Sequence, residues 1–128
     1  FTPKFFATQG LSSSVYDLEL ATSELAIHFH ELTLMEGSRA AILSMFGSRT
    51  DRSGFSGPSI FRDIVVPTLV IHGKEDNIID VGSAKYFQEN IPNVEVKIYE
   101  KIGHLPMYEA PKRTARDMKA FVESVRRG

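Results

Sequence analysis

Apolar positions recur first at helical spacing and then in two strand-like blocks. Leu25, Phe29, Leu32 and Met35 stand three or four residues apart, behind Thr22 and Ser23, whose hydroxyls suit a helix cap, and ahead of Gly37, which suits a stop. A second, shorter helix is predicted over 39–46, with Ala40, Ile42, Leu43 and Phe46 as its apolar members. Both helices, with Phe5 and Phe6 before them, carry much apolar surface for their length, which suits core packing or a pocket wall. Residues 47–63, GSRTDRSGFSGPSIFRD, then turn to Gly, Ser, Pro and charge and predict a linker or long surface loop.

From Ile64 the pattern changes. Thr68-Leu-Val-Ile-His72 is a run without alternation, set between Pro67 and Gly73, as expected of a parallel strand buried on both faces. Asp80 can cap a helix reaching Glu89, with Val81, Ala84 and Phe87 on one side. Val94 to Tyr99 alternates as a second strand, and Pro111 opens a helix to Val125 with a stripe of Ala115, Met118, Phe121, Val122 and Val125. The order strand, helix, strand, helix is a βαβ unit and predicts an α/β fold. Two strands are too few to cover a doubly buried strand. The chain is therefore expected to be the second part of a larger α/β domain, its other strands supplied by another chain or by removed sequence. The opening residue, Phe1 in place of Met, agrees with that expectation.

Composition narrows the partners. The 128 residues are 42% hydrophobic and 24% charged, and 15 basic against 16 acidic side chains leave a formal charge of −1. Such a chain offers no field to attract nucleic acid or anionic lipid. No apolar run reaches the roughly 20 residues needed to cross a bilayer, so the chain is expected to be soluble. The compartment is left open by the absence of cysteine, with the cytoplasm as the default reading.

In open α/β sheets, sites form beyond the carboxyl ends of the strands. Gly73-Lys-Glu-Asp76 leaves the first strand and Gly103-His104 follows the second, so neighbouring parallel strands would bring Asp76 and His104 together. An imidazole whose tautomer is held by a carboxylate can take a proton from a hydroxyl and return it to a leaving group. Spacing alone favours a structural role for the pair. Among the other candidates, His72 reads as a satisfied core histidine, Glu75 as a solvated neighbour and Asp80 as a helix cap. His28, His30 and Glu31 tempt a metal reading, but residues two apart face different ways on a helix, and His-Glu-x-x-His is not present. No metal or cofactor is expected.

VPTLVIHGKEDNIID, followed by GHLPMYEAP, resembles the closing half of the cap-bearing α/β hydrolases, the group of esterases, monoacylglycerol-lipase-like enzymes and carbon–carbon bond hydrolases. The resemblance covers 66–125. It implies that Asp76 is the triad acid and His104 the base, that 1–62 is a helical cap with its return loop, and that 63–128 is the carboxyl-terminal part of the core. It also implies that Leu105 and Met107, with Phe29 and Met35 from the cap, contact an apolar ester-like substrate. Glu109 would anchor its loop or the last helix. The family's nucleophile motif, Gly-x-Ser-x-Gly, is not in the chain. Ser56 in GFSGP lacks the final glycine and a preceding buried strand, and Ser12 to Ser14 read as loop polarity. The expected activity is ester hydrolysis by a Ser-His-Asp triad whose serine lies outside the chain, on the amino-terminal half of the same fold. The alternatives are a dehalogenase or epoxide hydrolase with an aspartate nucleophile, and a non-catalytic binding module.

Overall fold

The structure, a computed structural model, describes residues 4–48 and 59–127. These fall into two compact units, one of residues 4–12 and 21–48 and the other of residues 13–20 and 59–127.

The first unit is helical. It holds most of α1 (Lys4–Ser14), then α2 (Ser23–Leu34) and α3 (Ser38–Ser48). Thr22 caps α2 through its hydroxyl, which accepts the Leu25 N–H at 3.2 Å. Gly37 ends the turn after α2 with φ 80°, a conformation that a side chain would strain. Ser12 to Ser14, expected in a loop, form the last turn of α1 instead.

The second unit carries the sheet. Strands β1 (Thr68–Gly73) and β2 (Val94–Tyr99) pair in parallel, Thr68 opposite Val94 and Gly73 opposite Tyr99, with α5 (Gly82–Asn90) as the crossover. Helix α5 starts two residues after Asp80, whose carboxylate accepts the Gly82 N–H at 2.7 Å. The expected loop over 47–63 contains a short helix, α4 (Ser59–Arg62), because Phe61 has aromatic partners: its ring lies 5.5 Å from Tyr86 and 5.3 Å from Phe87. Ser56 and most of that stretch lie outside the described residues.

Two expectations of burial are corrected. Thr68 to His72 are half-buried where full burial was expected, since β1 has a single neighbouring strand among the described residues. On α7 (Pro111–Arg127) the buried positions are Thr114 and Asp117, while Met118, Val122 and Val125 of the expected stripe are exposed. The cause is Tyr99 at the end of β2. It is fully buried, so its hydroxyl needs an acceptor, and it donates to Asp117 Oδ2 at 2.7 Å. Burial first, and then this bond, raise the phenol's pKa, whereas the bond from Tyr99 is the leading cause that lowers the Asp117 carboxyl. The Arg113 guanidinium lies over the Tyr99 ring, 3.8 Å from its centre. This polar tie joins α7 to the end of β2. No described helix is long and apolar enough to cross a membrane.

Candidate active site

Backbone pairing carries on past the ends of both strands and draws their exit loops together. The Lys74 N–H donates to Tyr99 O at 2.9 Å, and the Glu75 N–H donates to Ile102 O at 3.1 Å. Glu75, expected to be solvated, returns the tie: its Oε2 accepts the Ile102 N–H at 3.2 Å. Between the loops Gly73 permits a close approach, because a Cβ there would collide with the carbonyl oxygens of Gly103 and Ile102.

This pairing brings Asp76 and His104 into contact. Asp76 Oδ1 accepts the N–H groups of Ile78 (2.8 Å) and Ile79 (2.9 Å), an Asx-type turn that fixes the carboxylate. Its Oδ2 lies 2.8 Å from His104 Nδ1. The Asp76 side chain is 3% exposed and that of His104 is 32% exposed. One partner is thus held in the protein while the other reaches the surface. Because Nδ1 faces the carboxylate, Nε2 sits on the opposite edge of the ring, where a reacting hydroxyl could meet it.

Burial is the largest single influence on Asp76 and by itself would raise its pKa. The hydrogen bonds from Ile79, His104 and Ile78, with the charge of His104, outweigh it and hold the carboxyl below its ordinary value. Ionised Asp76 therefore stabilises the fold above the unfolded-chain value of about 3.9, and that contribution is lost as pH falls through the lower folded value. Urea unfolding from about pH 6 down to about pH 2 is expected to show the acid-side loss becoming shallower in Asp76→Asn. The variant should also be less stable at the upper end, by about 1–3 kcal/mol. Part of the slope remains, because the Asp117 carboxyl is depressed too. Parallel wild-type and variant curves would refute this assignment.

The loop carrying His104 is held from several sides. The His104 N–H donates to Ser14 O at 2.8 Å, and a Cβ on Gly103 would meet the same oxygen at 2.8 Å. Glu109, at the end of α6 (Pro106–Glu109), accepts the Gly103 N–H at 2.9 Å and the Leu105 N–H at 3.3 Å through Oε1, and the Tyr16 N–H at 2.7 Å through Oε2. The anchoring expected of Glu109 is thus observed, with more partners than a loop anchor requires. The packing of 14–16 on this loop was not foreseen: the contacts run through main-chain atoms, which leave no side-chain signature.

His72 Nε2 lies 3.0 Å from Ile79 O and 3.4 Å from Asp76 Oδ2, so this histidine is satisfied at the rim of the site. Leu105 is half-buried and Met107 exposed, one and three residues after His104 in the chain. Phe29 on α2 and Met35 at its carboxyl-terminal cap are exposed apolar side chains of the other unit. Among the described residues no three His, Asp or Glu side chains gather as a metal site. A concavity of about 680 Å³ is lined by Tyr16, Leu18, Leu20, Lys101, Ile102 and Glu109 with Asp17, and another of about 350 Å³ lies by Pro67, Val94 and Phe121. Neither is lined by Asp76 or His104.

A family pattern described as the alpha/beta hydrolase fold matches residues 16–111. Lipase 3 of Moraxella sp. (strain TA144) is 39% identical over 62 residues, which are 48% of this chain and 20% of that protein. The monoacylglycerol lipase ABHD6 of Homo sapiens is 34% identical over 76 residues, 59% of this chain and 23% of that protein. Among solved structures, a mutant of the meta-cleavage product hydrolase CumD superposes with a TM-score of 0.83 at 26% identity, covering 97% of this chain and 47% of that one. This chain thus spans about a quarter or less of those curated relatives and just under half of that solved hydrolase.

Proposed function

This chain belongs to the α/β hydrolase fold family, and from that premise we propose that it supplies the acid and base of a carboxylic ester hydrolase whose nucleophilic serine lies on another segment. In this reading residues 1–62 are the cap with its return loop, and 63–128 are the carboxyl-terminal part of the core. The observation that carries it is the 2.8 Å contact between the enclosed Asp76 carboxylate and the accessible His104 imidazole, beyond the carboxyl ends of two parallel strands. Likeness to two proteins named as lipases supports the ester as substrate class.

The chemistry follows from the ring geometry. His104 Nε2 takes the proton of the serine hydroxyl as its oxygen attacks the ester carbonyl, and Asp76 stabilises the imidazolium that forms while fixing the tautomer. The proton then passes to the leaving alkoxide as the carbon–oxygen bond breaks. Water, deprotonated in turn by His104, hydrolyses the acyl-enzyme. Leu105 and Met107 offer apolar surface next to the base for an acyl group. Phe29 and Met35 offer surface of the same character within their own unit.

Likeness to the meta-cleavage product hydrolase favours a second substrate class, a meta-cleavage product, to which the same pair could apply. The test is an assay of this chain alone and then mixed with the amino-terminal half of its fold, against an activated acyl ester and a meta-cleavage product. Ester turnover is expected only in the mixture. Turnover by the chain alone would overturn an external nucleophile; a stable complex that turns over neither compound would point to a binding module. Cleavage confined to the meta-cleavage product would replace the ester reading with that second class.

A further inference from the structure

Three consecutive backbone N–H groups surround the imidazole-bearing residue, and two of them end on one side chain. Glu109 Oε1 receives the N–H of Gly103 and of Leu105, the residues either side of His104, while the N–H of His104 itself goes to Ser14 O. The other carboxylate oxygen receives the Tyr16 N–H, so the same side chain ties the loop to the segment that also holds His104 through Ser14. Glu109 is itself fixed from behind, its N–H donating to Leu105 O at 2.8 Å. The clasp is short and closed: α6 begins two residues after His104 and returns its last side chain to the loop it grew from.

We propose that Glu109 is the positioning residue of the base: its carboxylate sets the backbone on both sides of His104 and so the direction in which the imidazole meets Asp76. This rests on the catalytic reading of His104 and extends it to a residue outside the triad. A carboxylate suits the task because it presents two acceptor oxygens and no donor to three N–H groups. An amide of the same shape cannot do so. In Glu109→Gln one oxygen can still serve Gly103 and Leu105, but the amide nitrogen then turns a donor toward the Tyr16 N–H, or the reverse.

The test uses this chain as it stands, labelled with ¹⁵N at histidine. The wild-type His104 Nδ1 should show the signal of a ring nitrogen bonded to a carboxylate, and that signal is the readout. Glu109→Ala is expected to weaken the Nδ1 signal of the bond to Asp76, with Glu109→Gln between wild type and alanine; where the alanine variant does not fold, the isosteric Gln variant carries the test. A role confined to stability would lower the urea midpoint and leave the His104 Nδ1 signal as in the wild type, and that result would overturn the proposal. With the amino-terminal half present, Glu109→Ala should lower kcat about 10- to 100-fold and move KM by less than about threefold, as expected for a misplaced base. Failure of the wild-type mixture to turn over any ester would sink the catalytic reading alone, because the imidazole signals of the lone chain still decide whether Glu109 positions His104.

Discussion

His104→Ala, in the chain joined by its nucleophile-bearing half, is expected to lower kcat by about 10⁴- to 10⁶-fold with little change in KM. The size follows from what the ring does. Without it, the serine proton has no acceptor at the moment of attack and the leaving alkoxide has no donor. Residual turnover would come from oxyanion stabilisation and substrate binding, which the substitution does not touch. The structure also predicts that the loss is chemical and not a failure to fold. His104 is 32% exposed, and Asp76 keeps its bonds from Ile78 and Ile79, so stability should fall by only about 1–2 kcal/mol. Asp76→Asn should cost about 10⁴ in kcat, since an amide can hold the wrong tautomer. A His104→Ala enzyme within tenfold of wild type would remove the imidazole from the mechanism.

Gly73→Ala is expected to be the most damaging single substitution to the fold of the second unit. The added methyl would overlap the carbonyl oxygens of Ile102 and Gly103 and approach the Ile102 carbonyl carbon to 2.7 Å. All three are main-chain atoms and cannot rotate away, so either the end of β1 or the His104 loop must move. A loss of about 3 kcal/mol or more in urea unfolding is expected, together with loss of the Asp76–His104 contact. The contrast is Gly10→Ala. Gly10 lies within α1 with nothing near the position of a Cβ, so that change should be neutral or stabilising by up to about 1 kcal/mol. Equal behaviour of the two alanines would contradict the close approach at Gly73.

These expectations differ in how far they could be read beforehand. The parallel pair, its crossover helix, the cap of α2 at Thr22 and the stop at Gly37 were legible because they depend on local signals: a largely apolar run without alternation, helical spacing, a hydroxyl before a helix, a glycine after it. Asp76 and His104 were legible as candidates for the same reason, each following a glycine just beyond a recognisable strand. The burial of Asp117 on α7 was not legible. Its apolar stripe is plain in sequence, but Tyr99 needed an acceptor and drew Asp117 inward. Glu75 was misread, since a carboxylate at a loop reads as solvated until a distant N–H is found on it.

By itself, then, the order of residues determined both strands, the helices around them and which side chains are capable of proton transfer, since these follow from neighbours within a few positions, whereas α4 depended on the distant partners of Phe61. Tertiary structure alone decided that Gly73 lies against the His104 loop, and that Glu109 gathers N–H groups from Gly103, Leu105 and the distant Tyr16. The reason is that these contacts end largely on backbone atoms, which are the same at every position, so their partners are chosen by where the folded chain passes and not by what its side chains are.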